Sequence, residues 1–106
     1  MPLDEHYMQY IMGLLEPVKG VKSRAMFGGY GIFHEGDMFA LISNSRLYLK
    51  VNDSNRARFR DAASEQFMAM PYYEVPAEVM EDVPQFREWA DISIAVGHAT
   101  AKKKKK

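Results

Sequence analysis

Cysteine is absent from this 106-residue chain. That removes disulfide staples, thiolate zinc sites and a cysteine nucleophile, and agrees with a reducing compartment. No apolar run approaches the ~20 residues that span a bilayer. The opening Met1-Pro2-Leu3-Asp4-Glu5 places acid where a secretory leader needs a basic stretch, so a cytoplasmic protein without membrane contact is expected. A second hydrophobic core is also missing, because a chain of this length closes around one. What is there is globular in composition: 47% hydrophobic and 26% charged residues, with eight methionines that suit an adaptable core or contact surface.

Fourteen basic residues balance fourteen acidic ones, and the balance conceals segregation. Residues 1–18 hold three acids and no base. Residues 19–60 hold eight bases, among them Arg46, Lys50, Arg56 and Arg60, against three acids. Residues 61–101 hold Arg87 alone against eight acids, and Lys102 to Lys106 close the chain. A dipolar chain of this kind can steer an anionic partner, and equally can lay opposite charges side by side on an ordinary surface.

Leu3, Tyr7, Ile11, Leu14, Leu15 and Val18 recur at three- and four-residue spacing, which predicts an amphipathic helix from about Asp4 to Glu16, ended by Pro17 and Gly20. Short runs then follow: 21–26, 30–35, 38–43 and 46–51. Gly36-Asp37 and Asn44-Ser45 separate them by two residues, the spacing of tight hairpins, so the last three runs predict an antiparallel meander. Asn52 or Asp53 is placed to cap a helix running to about Ala63. Residues 66–75, interrupted by Pro71 and followed by Pro76, predict one or two edge strands. A last helix starts near Pro84 and carries Phe86, Trp89, Ala90 and Ile94. Residues 1–101 thus form one domain with a lysine tail at 102–106.

Hairpin arithmetic assigns the sheet faces. With turns at Asn44-Ser45 and Gly36-Asp37, Phe33, Met38, Ala40, Ile42, Leu47, Leu49 and Val51 share a core face. The opposite face carries Tyr30, Ile32, His34, Phe39, Leu41 and Tyr48, bordered by Arg46 and Lys50, and is too apolar to be solvated. It is a candidate interaction surface. The last helix, a second copy of the sheet in a homodimer, or single-stranded nucleic acid are the occupants considered, in that order. On this reading Phe39→Asp separates a dimer without unfolding it. Arg46, Lys50, Arg56 and Arg60 are the candidate contacts to anions or nucleic acid.

Met26-Phe27-Gly28-Gly29-Tyr30-Gly31, then Met38-Phe39-Ala40-Leu41-Ile42, Leu47-Tyr48-Leu49-Lys50-Val51 and Tyr72-Tyr73-Glu74-Val75-Pro76, together with Asn55-Arg56 and Trp89, resemble in order the N-terminal domain of the TfoX/Sxy family. The resemblance implies an α+β, two-layer fold: an antiparallel sheet of about five to six strands with three helices, in the order helix, strands, helix, strands, helix, similar to secretion-chaperone-like proteins. Family members that regulate natural competence carry a second, helical domain, so a free-standing version is expected here.

Motifs for chemistry are scarce. His6, His34 and His98 are far apart in sequence, with no HxH or HxxxH spacing, so no metal is assigned. No serine has a G-x-S-x-G setting, and the glycines at 28, 29 and 31 open a strand, where close backbone approach or a bulge explains them better than a phosphate loop. No cofactor and no catalytic residue is assigned. The expected function is a non-enzymatic regulatory module acting through protein contacts as a homodimer with an unidentified protein partner. The alternative is a nucleic-acid-binding protein using the basic segment, the arginine helix and the lysine tail, which would attract polyanions without reading sequence.

Overall fold

A computed structural model describes residues 2–26 and 28–104. Helix α1 (Pro2–Leu14) leads into a meander of strands β1 (Val21–Met26), β2 (Gly29–His34), β3 (Asp37–Ser43) and β4 (Arg46–Lys50). Helix α2 (Arg56–Asp61), strand β5 (Tyr72–Glu74), helix α3 (Ala77–Met80) and helix α4 (Val83–Lys104) follow. All five strands are antiparallel and lie side by side in chain order. The class is the expected α+β, with a five-stranded sheet. One helix more than expected is present among the described residues: α3 occupies an acidic stretch that reads as loop in the sequence.

The helices form one layer behind the sheet, α1 against β1 to β3 and α4 against β3 and β4. Ile11 and Leu15 from the first helical segment and Phe86, Trp89, Ala90 and Ile94 from α4 meet Ile32, Phe39, Ala40, Ile42, Leu47, Leu49 and Val51 in one cluster. Phe59 of α2 completes it, its ring edge-on to Trp89 at 4.8 Å between centroids. Gly97 explains how α4 lies so close: a Cβ there would sit 2.8 Å from the Met38 carbonyl oxygen of β3. Asp82 accepts a hydrogen bond from the Gln85 backbone amide, which caps α4, and Pro84 falls in the first turn where its missing amide costs little.

Asn55, buried at the start of α2, joins three elements. Its Oδ1 accepts from the Asn52 amide and its side-chain amide donates to the Lys50 carbonyl, which also accepts from the Ser93 hydroxyl of α4. The side chain of Asn52 does not cap α2. It turns back onto the amide and hydroxyl of Ser54, an Asx turn that precedes the helix.

The two hairpins expected from the sequence, β2–β3 and β3–β4, use two-residue turns with positive φ. The β3–β4 turn is Asn44-Ser45 as expected, at φ 54° and 58°, and pairs Ser43 with Arg46, Ile42 with Leu47 and Leu41 with Tyr48. The β2–β3 turn is Glu35-Gly36, one residue earlier than expected, and pairs His34 with Asp37. A bulge then inserts one residue on β3, since Phe33 faces Met38 but Ile32 faces Ala40. The additional residue is Phe39. This corrects the face assignment: Ile32 and Phe39 point under the helices and are fully buried, and Tyr30 packs against that same core. Phe33 moves the other way, to the outer face.

Candidate functional site

The outer face divides into two halves. Over β3 to β5, Leu41, Tyr48 and Tyr72 form a second small core, covered by Met38, Phe67 and Met70. The covering segment, residues 64–71, is held by the Phe67 amide on the Tyr72 carbonyl and by the Gln66 side chain on the Met70 carbonyl. Burial pushes the Tyr72 phenol up to about 12. The last helix, the first of the expected occupants, does not lie on this half; the chain's own 64–71 segment does. Of the six residues expected on one interaction face, only Leu41 and Tyr48 share this one.

Over β1 and β2 the outer face stays open. Lys22 pairs in register with Phe33 and Arg24 with Gly31, and the Arg24 guanidinium lies 5.2 Å from the Phe33 ring centre. Lys22 and Arg24 are exposed. Together with Gly20, Ser23, Glu35 and Gly36 they line a groove of about 610 Å³ floored by Phe33. Strand β1 is also the sheet's edge, so one side of its backbone has no neighbouring strand among the described residues.

The basic residues singled out in the sequence have different surroundings. Arg46 lies 3.6 Å from both Glu65 and Glu74. Arg56 is paired with Asp53. Lys50 projects over the Tyr72 ring at 5.3 Å. Arg60 is exposed at the end of α2. The lysine run begins inside α4, whose backbone continues to Lys104, while Lys105 and Lys106 lie outside the described residues.

Two histidines that are 64 positions apart in sequence meet at the back of the β2–β3 hairpin. His34 Nδ1 and His98 Nε2 are 2.8 Å apart, with the rings edge to face at 5.0 Å between centroids. His98 Nδ1 lies 2.7 Å from Asp37 Oδ2. One nitrogen of each ring and one Glu35 carboxylate oxygen lie within 4.8 Å of one another, the one grouping among the described residues with the donors to hold a metal ion. Sequence spacing did not show it, because the antiparallel turn sets β2 beside β3 while α4 crosses β3 to bring His98 to the hairpin. A carboxylate directly after a strand histidine, Glu35 after His34, was the faint available signal.

Such a sheet, helix-backed on one face and half-open on the other, defines a small α+β domain whose free features are an edge strand and a groove. The profile of the TfoX N-terminal domain matches residues 13–97, and the chain belongs to that family. The DNA transformation protein TfoX1 of Aliivibrio fischeri (strain ATCC 700601 / ES114) is 32% identical over 62 residues, 58% of this chain and 30% of that protein. The chain thus spans under a third of the length of that relative. No helix among the described residues is long and apolar enough to cross a membrane.

Proposed function

We propose that this chain is a non-enzymatic regulatory module of the competence-related TfoX type, and that it works by binding an acidic, extended protein segment along β1. The observation that carries this reading is the exposed edge strand with Lys22 and Arg24 beside a groove floored by Phe33. An added strand would satisfy the free backbone groups of the edge, while its carboxylates meet Lys22 and Arg24 and an apolar side chain rests on Phe33. Among the described residues Lys22 and Arg24 make no ion pair, and the Arg24 guanidinium lies against the Phe33 ring. The same charges argue less well for nucleic acid. Arg46 and Arg56 already hold carboxylates, and Glu65 and Glu74 beside Arg46 repel a phosphate backbone.

The test is Lys22→Glu combined with Arg24→Glu. Both side chains are exposed, so thermal stability stays within about 0.5 kcal/mol of the parent. In cells relying on the variant as their only copy, transcripts of the DNA-uptake genes should fall to the level of the deletion strain. Unchanged transcripts sink the proposal. A parallel titration of purified protein with a DNA duplex discriminates the alternative: a salt-dependent affinity that the charge reversal abolishes would transfer the groove to nucleic acid. Self-association lost in the variant would identify the partner as a second copy of the chain.

A further inference from the structure

We propose that His34, His98 and Glu35 form a binding site for a zinc-class divalent cation, with Asp37 as the positioning residue behind His98.

The hydrogen-bond chemistry sets the tautomers. Asp37 as a carboxylate only accepts, so His98 Nδ1, 2.7 Å from its Oδ2, carries the hydrogen. The Nε2 lone pair of His98 is then aimed at the His34 ring, and in the absence of a cation it accepts the Nδ1 hydrogen of His34 at 2.8 Å. A carboxylate that fixes a histidine so that its other nitrogen faces a ligand is the outer-shell arrangement of metal-ligating imidazoles. His34 contributes Nδ1 after its hydrogen passes to Nε2, an exchange of tautomers without change of charge.

The dimensions suit a small ion. Two nitrogens at about 2.0–2.1 Å from a tetrahedral zinc are about 3.3 Å apart, so the pair opens by about half an ångström. A Glu35 carboxylate oxygen, within 4.8 Å of one nitrogen of each ring, closes the rest of the distance on an exposed side chain. Two imidazoles and a carboxylate select zinc-class ions over magnesium or calcium, and three protein ligands leave a fourth position for water.

The backbone around the cluster is unusual in a consistent direction. Glu35 adopts φ 50° at the first turn position, where asparagine, aspartate or glycine is favoured and a long side chain is uncommon. Its amide donates to the Gly20 carbonyl at 3.0 Å, and Gly20, at φ 85°, brings no side chain against Glu35. A Cβ at position 20 would lie 3.1 Å from Glu35 Cγ, and 3.6 Å from both Glu35 Oε2 and His34 Nε2. A bound cation would tie the β2–β3 hairpin to the C-terminal half of α4, beside the groove, with which the cluster shares Glu35.

The experiment uses untagged full-length protein, stripped with chelator and titrated with zinc chloride by calorimetry. One ion per chain is expected, with no competition from magnesium. His34→Ala and His98→Ala should each weaken binding by more than about tenfold, and Asp37→Asn by about 10–100-fold. His6→Gln, on the exposed face of α1, should not change it. A cobalt titration of the parent protein should give the intense visible bands of a four-coordinate ion, a reading that needs no variant to fold. Binding in the His34→Ala/His98→Ala double variant as tight as in the parent, or a cobalt spectrum no stronger than that of the hexaaquo ion, overturns the proposal.

Discussion

Strands β3 and β4 are covered on both faces, β1 and β2 on one. The two halves of the sheet share backbone geometry and hydrogen bonding, yet four consecutive residues of β3, Phe39 to Ile42, are buried, while β1 alternates between exposed and half-buried positions. The doubly covered half reads as a continuous apolar run because neither face meets water. The other half keeps charge on its outer positions, as an exposed edge must if it is not to pair with any chain that approaches. Stability therefore resides mainly in one half, and the proposed binding surface lies on the other.

Two phenylalanines on neighbouring strands break the comparison open. Phe39 is fully buried beneath α4, and Phe39→Ala should cost about 3–5 kcal/mol, a large share of what a domain of this size possesses. Phe39→Asp should leave no folded protein. Phe33 floors the open groove, and Phe33→Ala should cost about 1 kcal/mol or less, part of it the lost contact with Arg24. Urea unfolding of the two alanine variants measures the difference, and similar midpoints would show that the two halves are not energetically distinct.

The glycines of β2 sharpen it further. A Cβ on Gly29 would lie 1.9 Å from the Ile42 carbonyl oxygen and 3.0 Å from its carbon, backbone atoms that cannot move without parting β2 from β3. Gly29→Ala should therefore cost about 1–3 kcal/mol. A Cβ on Gly31 meets the Met26 sulfur at 2.4 Å, the far end of a half-buried, flexible side chain on the open half. Gly31→Ala should stay within about 1 kcal/mol of the parent by the same measurement. Equal losses would mean that the Met26 side chain is held as firmly as the β2–β3 backbone.

These residues also show what the sequence could and could not disclose. Alternation and turn chemistry were enough for the meander, the Asn44-Ser45 turn and the register of β3 on β4, and the resemblance carried the family. The β2–β3 register was not legible, because Glu35-Gly36 and Gly36-Asp37 are both acceptable two-residue turns. Only packing against α4 selects the first, with a bulge that turns Phe39 inward. That single shift moved Ile32 and Phe39 off the expected interaction face and brought Phe33 onto it. Segment 64–71 was hidden for a related reason: its Phe67 and Met70 cover a face whose need for a cover was visible, while its lack of periodicity said nothing about where it would lie. The histidine pair depends on contacts between elements 61 and 64 residues apart, which no local pattern contains.

The smallest effect concerns Tyr72, and it appears only in alkali. The covering segment takes the Tyr72 phenol out of water and pushes its pKa from an ordinary value near 10 up to about 12. Between those values the unfolded chain has lost this proton and the folded chain retains it, so stability falls as pH rises through the window and is flat below about 10. Tyr72→Phe should leave the urea midpoint near neutral pH almost unchanged and make its decline above pH 10 shallower. Some slope remains from Tyr7, whose phenol is also raised, by burial and then by Tyr10 and Glu74. Phe67→Ala, which thins the cover, should move the Tyr72 ionisation back toward 10 when followed by ultraviolet difference absorption. If Tyr72 ionises near 10 in the intact protein, water reaches the outer face of β4 and β5, and the contrast between the two halves of the sheet is smaller than the packing of Phe67 and Met70 implies.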